Sequence, residues 1–206
     1  MKPLTLDTSR VTYLDAEHHY FLDGVRVPAV SDALRCASFD AFDKVDPEVL
    51  AAAAAEGQAV HELVHQDCLG VLDLLATPVD LLPYVDAWRE FLDTTGFTVL
   101  ASEQLVYSLR FRYCGRLDLF GQFPNRTFGV IDTKRVATVQ RTTGLQTAGY
   151  KTALCEMMDV PEDGTIRRFA LQMRPGRKAY LHEFKDPGDR KVFLSATNVA
   201  HWRLQK

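Results

Sequence analysis

Residues 98–135 read TVLASEQLVYSLRFRYCGRLDLFGQFPNRTFGVIDTKR, and the period of this stretch decides the fold. Apolar and polar residues alternate over Thr98 to Leu109, Arg112 to Phe120 and Thr127 to Arg135, with breaks around Phe111 and at Pro124-Asn125. Alternation of this kind reads as three consecutive strands. On either side the period turns helical. Upstream, Asp46-Pro47 offers an N-cap and a first-turn proline to a long helix that runs through the alanines 51–55 to about Cys68. A second helix spans Leu81 to Thr94 and closes at Gly96. Downstream, residues 140–158 read as a helix, and Ile166 to Met173 and Lys178 to Phe184 flank a Pro175-Gly176 turn. Asp186-Pro187 opens a last helix with Val192, Phe193, Ala196, Val199 and Ala200 on one face.

The first thirty residues alternate as a meander. Val11 to Leu14, His19 to Leu22 and Val25 to Val27 are strand-like, and Asp23-Gly24 between the last two is a hairpin signal. Ser31 is placed to cap a short helix through Cys36. The expected architecture is therefore α/β, a mixed β-sheet flanked by helices with an N-terminal β-hairpin. A chain of 206 residues suits one domain over 1–206, divided into a hairpin and short helix (1–45), a central core (46–158) and a C-terminal hairpin and helix (159–206). No apolar run approaches the roughly 18 residues of a membrane span, and Met1 to Arg10 lacks a signal-peptide layout. The expectation is a cytoplasmic protein of a bacterial or phage-infected cell, without a membrane partner. Cys36, Cys68, Cys114 and Cys155 are scattered and form no CxxC pair, which points to reduced thiols and away from a zinc site or disulfide framework.

The net charge of −3 argues against a nucleic-acid partner only until it is resolved along the chain. Residues 1–103 carry −12, residues 104–151 carry +6 and residues 152–206 carry +3. Within the basic segment the acids are Asp118 and Asp132 alone, against eight lysines and arginines. Each acid lies near the end of a proposed strand, and adjacent strands would bring them side by side. Asp132 and Lys134 are two apart and share a face. Two carboxylates with a nearby ammonium suit a hard divalent cation and phosphodiester chemistry, in which the lysine orients a water, helps deprotonate it or neutralises developing charge. A lone Asp-x-Lys is more commonly a cross-strand salt bridge, so the surroundings carry the weight.

Five motifs occur in order: Gly57-Gln58-Ala59-Val60-His61 on the long helix, Glu103 on the first strand, Gly115-Arg116-Leu117-Asp118, Ile131-Asp132-Thr133-Lys134, and Gln146-Thr147-Ala148-Gly149-Tyr150 on the next helix. This set, GxxxH, E, GRLD, IDTK and QxxxY, resembles the PD-(D/E)XK nucleases, in particular the RecB-like branch that includes phage exonucleases. The segment Asp23 to Ser31 is similar to the hairpin entry of phage-type members. The resemblance implies a restriction-endonuclease-like core and a metal-dependent DNA nuclease. An exonuclease of recombination, repair or processing is the first reading. A structure- or site-specific endonuclease and a noncatalytic DNA-binding module are the alternatives. It further implies Mg²⁺ or Mn²⁺ as cofactor and single-stranded or duplex DNA ends as partner, with a separate recombinase, helicase or single-strand-binding protein as candidate associates.

Residue by residue, the resemblance assigns metal ligation to His61, Asp118 and Asp132 with the Thr133 carbonyl, and the catalytic lysine to Lys134. Gly57, one turn before His61, would leave room for close packing or for substrate backbone. His65 lies one turn further and competes for that role, but GxxxH selects His61; for a lone histidine on this helix a packed core residue is the plainer alternative. Glu103 either contacts a second metal or a water, or pairs with Arg112 or Arg116 across the sheet. Gln146 and Tyr150 share a helix face that would meet the DNA strand, although for the motif standing alone a core-packed tyrosine is the commoner explanation. Arg116, Arg135, Arg141 and Lys151 would complete a DNA-binding face. Leu117 stands where the superfamily name has proline, as is usual in this branch. No cysteine follows Cys155, so no iron–sulfur cluster is expected. No GxxxxGK[ST] segment is present, so any ATPase would be another chain.

Overall fold

A computed structural model describes residues 3–14, 19–38 and 46–205. The expected boundary at residue 45 lies outside the described residues. Strands β1 (Val11–Leu14), β2 (His19–Leu22) and β3 (Val25–Val27) form an antiparallel sheet. Asp23 and Gly24, at φ 54° and 74°, make the tight turn between β2 and β3. Both positions lie in the left-handed region that an Asp-Gly pair tolerates. Helix α1 (Val30–Ala37) follows, and here the expected cap is displaced by two residues. Ala29 occupies the N-cap position, and its N–H donates to the Asp32 carboxylate at 2.7 Å. Ser31 is already inside the helix, because the chain leaves the sheet at Ala29, which bridges to Cys114.

Helix α2 (Pro47–Leu69) starts at Asp46, whose carboxylate accepts the Glu48 N–H at 2.8 Å, and stops at Gly70 with φ 70°. Helix α3 (Leu82–Thr95) stops at Gly96. Strands β4 (Thr98–Ser108), β5 (Tyr113–Gln122) and β6 (Phe128–Lys134) are the three read from the alternation, each within a few residues of the expected ends. Helix α4 (Thr142–Met158) crosses over to β7 (Ile166–Gln172), which runs parallel to β6; β8 (Tyr180–Phe184) and α5 (Gly188–Leu204) complete the order. The main sheet has the strand order β4-β5-β6-β7-β8 and is antiparallel except at β6–β7. The mixed sheet arises because the β6–β7 link is long enough to hold a helix while the other links are hairpins.

Two apolar layers sandwich this sheet. On one face Leu117, Phe120 and Val130 pack with Leu145, Tyr150 and Leu154 of α4 and Phe193 of α5. On the other, Leu119, Ile131, Phe169 and Leu171 pack with Val60, Leu63 and Val64 of α2 and Trp88 and Phe91 of α3. The small sheet seats Tyr20, Leu22 and Val27 on Tyr107 and Cys114. The expected apolar face of α5 needs correction: Phe193, Ala196 and Ala200 are buried, but Val192 and Val199 are 49% and 43% exposed. Their places are taken by Asp189, held to the buried Arg168 at 2.9 Å, and by Thr197, whose hydroxyl donates to the Phe193 carbonyl. The contact face of α5 is thus rotated relative to its apolar stripe. The four cysteines are free, with Cys114 and Cys155 buried. No described helix is long and apolar enough to cross a membrane.

Candidate functional site

One half of the site follows from regular geometry. Asp132 and Lys134 lie two apart on β6 and share a face. Asp132 is fully buried, and its Oδ2 sits 2.6 Å from Lys134 Nζ in a charge contact; Oδ1 has no hydrogen-bond partner among the described residues. Lys134 Nζ also donates to Gln146 Oε1 at 3.0 Å, and Gln146 Nε2 donates to the Tyr150 hydroxyl at 3.3 Å. Burial works against the Lys134 ammonium, yet Asp132 and Asp118 outweigh it and raise its pKa. Tyr150 is buried, and its ring lies over Gly115, where a Cβ would come within 2.9 Å of the ring. The aromatic ring expected to meet a DNA base is therefore a core side chain. Its hydroxyl orients Gln146, and Gln146 orients Lys134.

The other half depends on broken alternation. On β4, Ser102 pairs with Leu119 and Gln104 with Leu117, and between them Glu103 has φ 49°. The other described non-glycine residues with positive φ sit in turns or at a helix end, whereas Glu103 is inside a strand. A left-handed residue there costs about 1–3 kcal/mol and is a mark of functional positions. Its effect is to turn two successive side chains toward α2. Ser102 shares a 2.7 Å hydrogen bond with His65 Nδ1, and Glu103 Oε1 lies 3.6 Å from His61 Nδ1. The neighbouring strand does the same: Asp118 Oδ2 lies 3.3 Å from His61 Nδ1, and Leu119 joins the α2 core.

The β5–β6 ladder ends at Leu119 and Ile131, so Asp118 and Asp132 stand at the next, unzipped rung. The Thr133 N–H, freed from that ladder, donates to Asp118 Oδ2 at 2.6 Å. Ligand atoms of His61, Glu103 and Asp118 all lie within 4.8 Å of one another. This trio can hold a metal ion. Asp132 stands beside it, close enough to influence both His61 and Asp118. Burial disfavours the imidazolium, but Asp118, Glu103 and Asp132 overcome it and push His61 up to about 9. Burial in turn pushes Asp118 up, opposed by His61 and Lys134. A proton on His61 thus does the work a cation would do among three acids. The buried, unpartnered Asp132 Oδ1 and Thr133 Oγ1 are the second sign that the donor set fits a cation.

The remaining sequence candidates separate. His65 is turned to Ser102, and His61 faces the acids. A Cβ on Gly57 would meet nothing within 4 Å, so packing within the chain does not require that glycine. Arg135 donates to the Tyr84 hydroxyl at 2.9 Å and pairs with Glu56, at the end of β6 next to Lys134. Arg116 stacks over Tyr13 at 5.6 Å, on the side of the small sheet. Arg141 and Lys151 belong elsewhere. Arg141 faces Asp186 before α5, and Lys151 Nζ donates to the Asp163 carbonyl at 2.5 Å. The sequence reading missed Ser102 and its contact with His65, which no periodic signal could reveal.

No protein-family model and no curated protein matches this chain. Among solved structures it is similar to an alkaline exonuclease, LHK-Exo, from Laribacter hongkongensis, with 10% identity and a TM-score of 0.48 over 87% of this chain and 88% of that one. It is also similar to SSO0001, with 13% identity and a TM-score of 0.41 over 86% of this chain and 76% of that one.

Proposed function

We propose that this chain is a divalent-metal-dependent DNA nuclease of the PD-(D/E)XK type, acting as an exonuclease in DNA recombination, repair or processing. The observation that carries the reading is the convergence of His61, Glu103 and Asp118 within 4.8 Å, beside the Asp132–Lys134 pair. The donors, one imidazole and hard carboxylates, suit Mn²⁺ or Mg²⁺. His61, Glu103 and Asp118 would hold the ion, with Asp132 and the Thr133 carbonyl facing it from β6. A bound ion would supply Lewis-acid polarisation of the phosphate and a more acidic water.

The chain's own groups do the rest. Lys134 offers a donor and a positive charge: burial works against its ammonium, but Asp132 and Asp118 raise its pKa. Asp132 and Gln146 fix its Nζ from two sides, so it is preorganised where negative charge grows on the phosphoryl oxygens. Tyr150 holds Gln146 from the core. By the pattern of the nucleases it resembles, the 3′-oxygen leaves as water attacks in line, giving products with 5′-phosphate and 3′-hydroxyl ends.

The test is digestion of end-labelled linear DNA and closed circular DNA with Mg²⁺ or Mn²⁺, alongside Lys134→Ala. Cation-dependent loss of the linear substrate alone, abolished in the variant, supports the exonuclease. Cutting of the circle identifies an endonuclease. Metal binding by calorimetry with all DNA intact identifies a noncatalytic module.

A further inference from the structure

The parallel strands β6 and β7 end side by side, with Lys134 opposite Gln172 and the Met173 N–H donating to the Lys134 carbonyl at 2.9 Å. Just beyond these ends an open cleft of about 340 Å³ is lined by Tyr84, Arg135, Met173, Arg174 and Arg177, among others, and by no carboxylate. Crevices beyond the carboxyl ends of parallel strands are where α/β sheets take their ligands. Arg135 begins the lining one residue after Lys134, about 3.8 Å away along the chain.

The state of these cations sets the cleft apart from the other charged cavity. There, between α4 and β8, Arg167 is matched by Glu183, Arg190 by Glu162 and Lys151 by the Asp163 carbonyl. That cavity neutralises itself. In the cleft, Arg135 has Glu56 and Tyr84, but Arg174 makes one side-chain bond, to Gln172 at 3.1 Å. Arg177 is exposed and makes no side-chain hydrogen bond or ion pair among the described residues. A guanidinium presents a planar fork of donors that matches phosphate oxygens in pairs. Two such forks left open on a short hairpin, next to the proposed catalytic lysine, present a row of positive charge to a polyanion.

We infer that Arg174 and Arg177, with Arg135, form an anion subsite that grips the phosphodiester backbone of the strand flanking the cleaved bond. The ligand's identity rests on the nuclease reading; the subsite rests on the cleft. It binds phosphates and reads no bases, so it adds affinity without sequence preference.

The experiment is fluorescence anisotropy of labelled single-stranded and duplex oligonucleotides, in chelator so that none is cut, over a series of salt concentrations. Wild type is compared with Arg174→Gln/Arg177→Gln and with Arg203→Gln, an exposed charge on α5. The double variant is expected to bind about ten-fold more weakly, with a log–log salt slope lower by about 1 to 2, while Arg203→Gln keeps the wild-type slope. Thermal melting checks that the exposed hairpin tolerates both changes. Wild-type slope and affinity in the double variant, an equal loss in Arg203→Gln, or no oligonucleotide binding by wild type overturns the subsite. Cleavage with Mn²⁺ is scored separately. If wild type cuts DNA and the double variant keeps its slope, the subsite falls and the nuclease stands. If nothing is cut but the slope drops, the nuclease falls and the grip remains.

Discussion

The two halves of the site are built in opposite ways. On β6 and α4, Asp132, Lys134, Gln146 and Tyr150 meet because strands repeat every two residues and helices about every four. On β4 and β5, Glu103 and Asp118 meet His61 because the strand repeat fails at one rung. The regular half holds a charge, Lys134, in place between Asp132 and Gln146, while Asp132 Oδ1 keeps no hydrogen-bond partner of its own among the described residues. The irregular half stores strain at Glu103 and crowds Glu103 and Asp118 around His61, a gathering of donors that a cation would suit. Under the nuclease reading, preorganisation rests mainly on β6 and α4, and metal binding mainly on α2, β4 and β5.

The sharpest way to break this division is Lys134→Ala. It should lower metal-dependent cleavage at least about 100-fold while Mn²⁺ still binds, as read by a nuclease assay beside calorimetry. It also leaves buried Asp132 without its counter-charge, so the metal-free protein should lose about 3 kcal/mol in denaturant titration. Retained activity would remove the charge-holding role from this half.

A pH series in chelator probes the irregular half. The His61 pKa is raised from 6.5 to about 9, so its contribution to stability is complete below about pH 6.5 and is lost as pH rises through 9. Asp118 is also raised, chiefly by burial, so the native state holds its proton more tightly and stability falls as pH climbs above the ordinary carboxylate range. Both signs agree. The melting temperature should drop between pH 6 and 9, and saturating Mn²⁺ should flatten the slope. A metal-free protein with no slope would refute the account of crowded donors.

Glu103→Gly set against Glu103→Ala isolates the strain. Both lose the carboxylate and should bind Mn²⁺ at least about ten-fold more weakly. At an ordinary strand position alanine is the more stable of the two, but with φ 49° the order should reverse by about 1 kcal/mol. Thermal melts in chelator decide it. The smallest expected effect is that of Ser102→Ala, which removes the 2.7 Å bond to His65 beside the irregular rung and should cost about 1 kcal/mol. Because Glu103 is then less firmly held, Mn²⁺ affinity should fall by a smaller factor than for Glu103→Gly.

The sequence by itself determined the order of elements, since alternation, helical period, Asp-Gly, Asp-Pro and terminal glycines all act over a few residues. It also placed Asp132 with Lys134 and Gln146 with Tyr150, because those pairs share one element. Its apolar stripe on α5 misled at Val192 and Val199, since which part of a helix is covered depends on its neighbours. It left Glu103 between two roles and Tyr150 between core and substrate, because neither choice is local. Only the tertiary structure decided them. Glu103 faces His61 through its own left-handed conformation, Tyr150 is buried over Gly115, and Gln172 is set opposite Lys134 by a parallel strand pair, 38 residues away in sequence. Periodicity encodes which way a side chain points from its own element. Convergence between elements depends on where the ladder is interrupted, and that interruption carries no repeating signal.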